Sequence, residues 1–108
     1  MNSKLNTEEV RSFMDAVLTL RTREECFDFF EDVCTINELL AIAQRLEVAK
    51  RLREGDTYLE ICDKTGASTA TISRVNRSLN FGNNGYDIAL DRLAGKDVPT
   101  RGGETGEN

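Results

Sequence analysis

The pattern Thr-x-x-Glu occurs three times in this chain of 108 residues, at Thr22–Glu25, Thr35–Glu38 and Thr57–Glu60. In this pattern the threonine oxygen accepts the amide hydrogen three residues later, and the glutamate accepts the amide hydrogen of the threonine. Such a box marks the first turn of a helix, and each cap is worth about 1 kcal/mol. Each of the three boxes stands just before an apolar run with helical spacing. The pattern therefore predicts an all-α fold.

Apolar residues spaced three and four positions apart extend this prediction to about six helices. The helices are expected from about Glu8 to Leu20, after Thr22, from Thr35 to about Arg53, from Thr57, from Ser68, and after the Asn-Asn-Gly turn at 83–85. No stretch alternates polar and apolar residues as a strand would. We expect one helical domain at 1–95 and a disordered polar tail at 96–108, which is rich in glycine.

The first three predicted helices carry apolar faces that are wide for so small a subunit. The second helix is expected to bury Cys26, Phe27, Phe30 and Val33, and apolar residues cover roughly half the circumference of the third. Exposed apolar surface on this scale usually contacts a partner. The pattern favours a helical homodimer, with a compact monomeric bundle as the alternative.

Composition argues against several classes of protein. The chain has 19 acidic and 14 basic residues and a net charge of −5, unlike proteins that coat DNA through an overall positive charge. It has no histidine and its three cysteines form no CxxC pair, so no metal site and no disulfide framework are expected. No activated nucleophile or phosphate-binding loop is recognisable, so no catalytic residue is assigned and no enzyme is expected. The lack of a long apolar run predicts a cytoplasmic protein that does not enter a membrane.

One segment departs from this acidic average. From Lys64 to Asn84 there is no carboxylate, while Lys64, Arg74 and Arg77 are cationic. A local field of one sign can attract a partner even when the whole chain carries the opposite charge. The segment is therefore a candidate contact for a polyanion.

The two predicted helices at about 57–80 have the spacing of a helix-turn-helix. Cys62 is small enough for the place where two helices cross, and Gly66 tolerates the positive φ of a tight turn. The small apolar core of the pair is expected to hold Ile61, Ile72, Val75 and Leu79.

With these residues inside, the outer face of the second helix is small or cationic. Small side chains let a helix approach base edges in the major groove, and arginines reach phosphate or guanine. The candidate DNA-binding residues are Lys64, Ser68, Thr69, Ala70, Ser73, Arg74 and Arg77. Two alternatives stay open: a protein-interaction module that uses the helix-turn-helix surface without binding DNA, and an ordinary bundle with solvated arginines.

Two runs, TINELLAIAQRLEVAKRLREG from Thr35 and EICDKTGASTATISRVNRSL from Glu60, resemble the tryptophan repressor superfamily, and within it the YerC/YecD-like branch. The likeness covers residues 10–94 in outline and is specific over 35–79. It implies an intertwined homodimer whose core is formed by N-terminal helices of both subunits. It also implies two helix-turn-helix heads on a palindromic operator in double-stranded DNA, and hence a transcriptional regulator, expected to be a repressor.

The tryptophan repressor binds its corepressor between the dimer core and the recognition helix. By resemblance, the ligand-contacting positions of the family fall on Thr35, Arg45, Arg74 and Ser78. Val75 departs from the pattern, because it stands where the family has a glycine that leaves room for the indole ring. Three alternatives stay open: corepression by tryptophan, gating by another small anion or amino acid, and DNA binding without a ligand. No other cofactor is expected.

Overall fold

The computed structural model describes residues 1–100, which form six α-helices and a short 3-10 turn at Ser3–Leu5, with no strand among them. The helices are α1 (Glu8–Leu18), α2 (Arg23–Val33), α3 (Ile36–Arg53), α4 (Tyr58–Thr65), α5 (Thr69–Phe81) and α6 (Gly85–Leu93). The predicted all-α class and the predicted number of helices are confirmed.

The predicted disordered tail at 96–108 lies mostly outside the described residues. Its described part, residues 96–100, contains neither helix nor strand. Arg92 Nη2 donates a hydrogen bond to the Val98 carbonyl at 3.0 Å, so this short segment contacts the end of α6.

Within residues 1–100 the chain divides into two compact units, residues 1–43 and residues 44–100, and the division falls within α3. The second unit holds the buried core. Its buried apolar residues are Val48, Ala49, Ile61, Ala67, Ile72 and Val75. The half-buried side chains packed against them are Leu52, Cys62, Leu79, Tyr86 and Leu90. The described core therefore lies between the end of α3, the predicted helix-turn-helix and α6.

Threonine caps begin the helices as the Thr-x-x-Glu pattern predicts. At α4 the Glu60 amide donates to Thr57 Oγ1 at 3.2 Å, and the Thr57 amide donates to Glu60 Oε1 at 2.7 Å. Thr35 and Glu38 form the same two bonds at α3, at 3.1 and 2.8 Å. Hydrogen bonds with Thr35 hold the pKa of the Glu38 carboxyl below its ordinary value. The bond from the Thr35 backbone amide has the larger effect, and the bond with the Thr35 side chain has the smaller one.

The box predicted at Thr22–Glu25 is only half formed. The Glu25 amide donates to Thr22 Oγ1 at 3.1 Å, but Glu25 Oε1 accepts the amide of Arg21 at 2.8 Å instead of the amide of Thr22. The carboxylate still satisfies a free backbone donor at the start of α2. The position of the helix start is therefore predicted correctly, although one bonding partner is not.

Helix α1 ends two residues earlier than predicted. Thr19 donates both its amide, at 3.1 Å, and its hydroxyl, at 2.6 Å, to the Ala16 carbonyl. A threonine that bonds the backbone in this way competes with the regular helical hydrogen bonds. This competition ends α1 at Leu18 instead of Leu20.

The first unit has no buried residue. Phe29 and Phe30 meet edge to face with ring centroids 5.3 Å apart, and Cys26 is half-buried. The prediction that α2 buries Phe27 and Val33 is wrong for the single chain, where they are 58% and 52% exposed. Helical spacing identifies side chains that share a face, but it does not say whether one chain covers that face.

Candidate nucleic-acid interface

Helices α4 and α5 are joined by a short turn that begins at Thr65. Gly66 has a φ of +74°, a left-handed conformation, and its amide donates to the Cys62 carbonyl at 2.9 Å. The Thr65 hydroxyl donates to the Ile61 carbonyl at 2.7 Å and accepts the Ala67 amide at 3.1 Å. Ala67, the residue after Gly66, is only 4% exposed and belongs to the buried core, so the turn packs against the core. The position predicted for Gly66 is confirmed.

Helix α3 holds this turn through a residue that sequence reasoning missed. Gln44 Nε2 donates to the Thr65 carbonyl at 3.1 Å. This carbonyl lies in the last turn of α4, where carbonyls have no partner within their own helix. A signal was present, since Gln44 stands one helical turn before the buried Val48.

The inner face of α5 anchors the helix. Ile72 and Val75 are 0% and 1% exposed, and Leu79 is half-buried against the same core. Ser68 caps the helix by accepting the Thr71 amide at 3.1 Å. The predicted inward residues are confirmed, and this packing fixes which side of α5 meets solvent.

The outer face of α5 has the predicted character. Its exposed residues include Thr69, Ala70, Ser73, Arg74 and Arg77. The first turn of α5 carries no acidic residue. Within residues 1–100 neither Arg74 nor Arg77 forms an ion pair. Both guanidinium groups can therefore bind an external anion without first breaking an ion pair with a carboxylate of the described residues.

The other two candidate DNA contacts are also exposed, but each has a partner in the chain. Lys64 Nζ lies 3.4 Å from Asp56 Oδ2. The Ser68 hydroxyl donates to Thr71 Oγ1 at 3.1 Å in addition to its role as a cap. A phosphate would have to replace these partners to bind the two side chains.

The four predicted ligand contacts have different surroundings. Thr35 belongs to the first unit, and its hydroxyl accepts the Glu38 amide. Arg45 is half-buried on α3, whereas Arg74 and Ser78 are exposed on α5, one helical turn apart. Their joint role in binding a ligand stays a prediction.

A cavity of about 430 Å³ opens beside one of these four positions. It is lined by Ser78, Gly82, Asn83, Gly85 and Tyr86. Val75 does not line it, because its side chain is packed in the core of the second unit. The packing role predicted for Val75 is confirmed.

Residues 8–94 match the Trp repressor protein family. The chain belongs to this family. YerC, an uncharacterized protein of Bacillus subtilis, is 57% identical over 90 residues, which are 83% of this chain and 86% of YerC. The crystal structure of a TrpR-like protein from Eubacterium eligens has a TM-score of 0.84 and 60% identity, covering 90% of this chain and all of that one. A candidate Trp repressor from Staphylococcus aureus has a TM-score of 0.84 and 50% identity, covering 87% of this chain and 95% of its own.

Membership of the Trp repressor protein family confirms the resemblance found in the two sequence runs. The solved relatives of this family share the all-α fold described above. The family is one of regulatory proteins and not of enzymes, which agrees with the function class predicted from the sequence. No helix in residues 1–100 is long and apolar enough to cross a membrane.

Proposed function

We propose that this chain is a sequence-specific DNA-binding regulator of transcription, a repressor that acts as a cytoplasmic homodimer. The outer face of α5 is the observation that supports this proposal most strongly. It combines small side chains at the front of the helix with two exposed arginines that have no ion-pair partner within residues 1–100.

In this proposal α5 enters the major groove of DNA. Ala70 and the methyl group of Thr69 contact a thymine methyl, and Ser73 hydrogen-bonds a base edge. Arg74 and Arg77 bind phosphate or guanine, while the core residues beneath keep the helix in a fixed orientation. The turn at Gly66 also helps to keep α5 in this orientation, because Gln44 Nε2 donates a hydrogen bond to the carbonyl of Thr65 at the start of the turn.

The homodimer is supported by the apolar surface of the first unit. Large apolar side chains there are more than one-third exposed, at Phe13, Met14, Leu18, Phe27, Val33, Ile36, Leu40 and Ile42. A monomer seldom leaves so much apolar surface in water. A second copy of the same chain is the simplest partner that could cover it, because two-fold homodimers are the commonest assembly of soluble proteins. A two-fold dimer would recognise a palindromic operator.

Tryptophan is not the effector in this proposal. Val75 is 1% exposed and packed in the core, and it replaces the glycine that by resemblance leaves room for the indole ring in the family. The protein therefore binds DNA either alone or with a different small ligand at Thr35, Arg45, Arg74 and Ser78. Adding tryptophan to a binding titration is expected to leave the affinity for DNA unchanged.

A salt titration of binding to fragments of genomic DNA tests the proposal. Four arginines of a dimer give a log–log slope of about −3.6, and two copies of Lys64 bring it to about −5.4 if they also neutralise phosphates. A preferred fragment and a slope in this range support the regulator. Capture of a protein partner with no shift of any fragment at low salt would instead favour a protein-interaction module.

A further inference from the structure

Lys64, one of the three cations among the candidate DNA-binding residues, is paired with a carboxylate of the same chain. Lys64 Nζ lies 3.4 Å from Asp56 Oδ2, and Asp56 is its one ion-pair partner within residues 1–100. The side chain of Asp56 is 18% exposed, whereas that of Lys64 is 48% exposed. The carboxylate is thus sheltered, while the ammonium group also reaches solvent.

Asp56 is fixed in this position by the end of α3. Arg51 Nη1 lies 3.5 Å from the same Oδ2 atom, and the Asp56 amide donates to the Arg51 carbonyl at 3.1 Å. Arg51 Nε also lies 2.9 Å from Glu47 Oε2, although the angle of this contact does not suit a hydrogen bond, so Arg51 keeps a nearby carboxylate when the charge of Asp56 is removed. A change at Asp56 therefore leaves Lys64 as the one cation of this group without a carboxylate.

We infer that Asp56 is an intramolecular counterion that competes with DNA phosphate for Lys64 and so limits the affinity of the interface. This inference rests on the proposed function. A phosphate that binds Lys64 must displace the carboxylate, which offsets part of the attraction. Because the salt dependence of binding counts the charges newly neutralised, a lysine that only exchanges one anion for another contributes little to it.

Binding to a fluorescent duplex of random sequence, about 30 base pairs long, tests this inference. Such a duplex spans two half-sites one helical turn apart, and its phosphates are bound independently of sequence. Asp56→Asn is expected to bind up to about fivefold more tightly per subunit, the range available to an exposed ion pair. The log–log salt slope should steepen by about 1 per subunit because Lys64 is released.

Asp63→Asn is the matched control, since it removes the same charge beside Lys64 from an exposed residue without an ion pair in residues 1–100. Asp63→Asn and the conservative variant Asp56→Glu should both keep the log–log salt slope of the wild-type protein. In a Lys64→Gln background, Asp56→Asn should no longer change the slope. Equal slopes for Asp56→Asn and Asp63→Asn, or a steepening that persists without Lys64, would overturn the inference.

A second comparison does not depend on the folding of Asp56→Asn. Lys64→Gln is expected to leave the slope close to wild type, whereas Arg77→Gln should flatten it by about 1 per subunit. Equal flattening by the two variants overturns the inference but leaves the regulator intact. If the wild-type protein binds no duplex at low salt, the proposed function fails and the inference fails with it.

Discussion

Arg74 and Arg77 extend from an exposed helix face and do not contribute to the buried core. Replacing either one by alanine is expected to weaken binding to DNA by about 1–3 kcal/mol, because each loses a contact to phosphate or a base. The thermal midpoint of the protein should change little, since surface substitutions of this kind usually cost less than about 0.5 kcal/mol. Fluorescence anisotropy and circular dichroism measure the two quantities.

Arg23→Ala is a matched control for these substitutions. Arg23 is also exposed and forms no ion pair in residues 1–100, but it lies at the start of α2. It should lower the affinity far less than the two substitutions in α5. Equal losses for all three variants would mean that the protein binds DNA through overall charge and not through the face of α5.

The interactions predicted correctly at this scale are those made by neighbours in the sequence. Thr57 and Glu60 are three positions apart, so their reciprocal bonds follow from the helix start itself. Gln44 and Thr65 are 21 positions apart, and their bond depends on where the chain folds back. The ion pair of Asp56 and Lys64 was likewise not predicted, because it forms only when a turn and a helix bring the two side chains together.

At the scale of secondary-structure elements, the α4–α5 turn depends on the conformation of one glycine. Gly66→Ala is expected to destabilise the protein by about 1–2 kcal/mol, because a side chain disfavours the left-handed conformation. A Cβ atom at Gly66 would meet nothing within 4 Å, so the loss is one of backbone strain and not of packing. Urea unfolding measures this change in the free energy of unfolding.

Gly85→Ala is the control for the turn. A Cβ atom there also meets nothing within 4 Å, and the residue is the first of α6, without a positive φ. This variant should be as stable as wild type or slightly more stable. A loss at Gly85 as large as the loss at Gly66 would contradict the role assigned to the turn.

Helices α3 and α6 are connected by the ion pair of Arg53 with Asp91. The hydrogen bond from Arg53 lowers the pKa of the Asp91 carboxyl from its ordinary value of 3.8. Because the folded state favours the ionised form, this pair stabilises the protein above the ordinary pKa. The stabilisation disappears as the pH falls through the lowered pKa.

Asp91→Asn is therefore expected to be less stable than wild type at neutral pH. The difference should shrink as acid protonates Asp91 in the wild-type protein. Urea unfolding of both proteins over a series of pH values measures it. A difference that stays constant down to about pH 2 would show that the charge of Asp91 does not contribute.

The positions of the helices and the packing of α4 against α5 were predictable, because caps, apolar spacing and the helix-turn-helix pattern are local signals. The contacts that α3 and α6 make with this pair were not predictable in the same way. The end of α3 and the start of α5 follow from Gly55 and Ser68, which the sequence displays directly. The packing of Tyr86 and Leu90 against the core depends on the path of the chain after the turn at 83–85. Apolar residues on α1, α2 and α3 predict a wide face, but periodicity does not identify the surface that covers it.

At the scale of the whole molecule, the proposed dimer depends on apolar residues such as Leu40, which is 61% exposed in the single chain. Leu40→Glu would place a charge within the subunit contact, which is costly unless that charge is paired. Sedimentation equilibrium is expected to find a dimer for wild type and a shift toward monomer for this variant. Leu59→Glu changes a residue that is 74% exposed on α4 and should remain dimeric. A monomeric wild-type protein would contradict the proposed assembly.

Selection of bound sites from a random pool of double-stranded DNA tests the central claim most directly. If two copies of α5 read successive major grooves, the recovered sites should be two-fold symmetric, with half-sites about 10 base pairs apart from centre to centre. Substitution of Arg74 and Arg77 should abolish this enrichment. A pool that shows no common sequence after repeated selection at low salt would contradict the account.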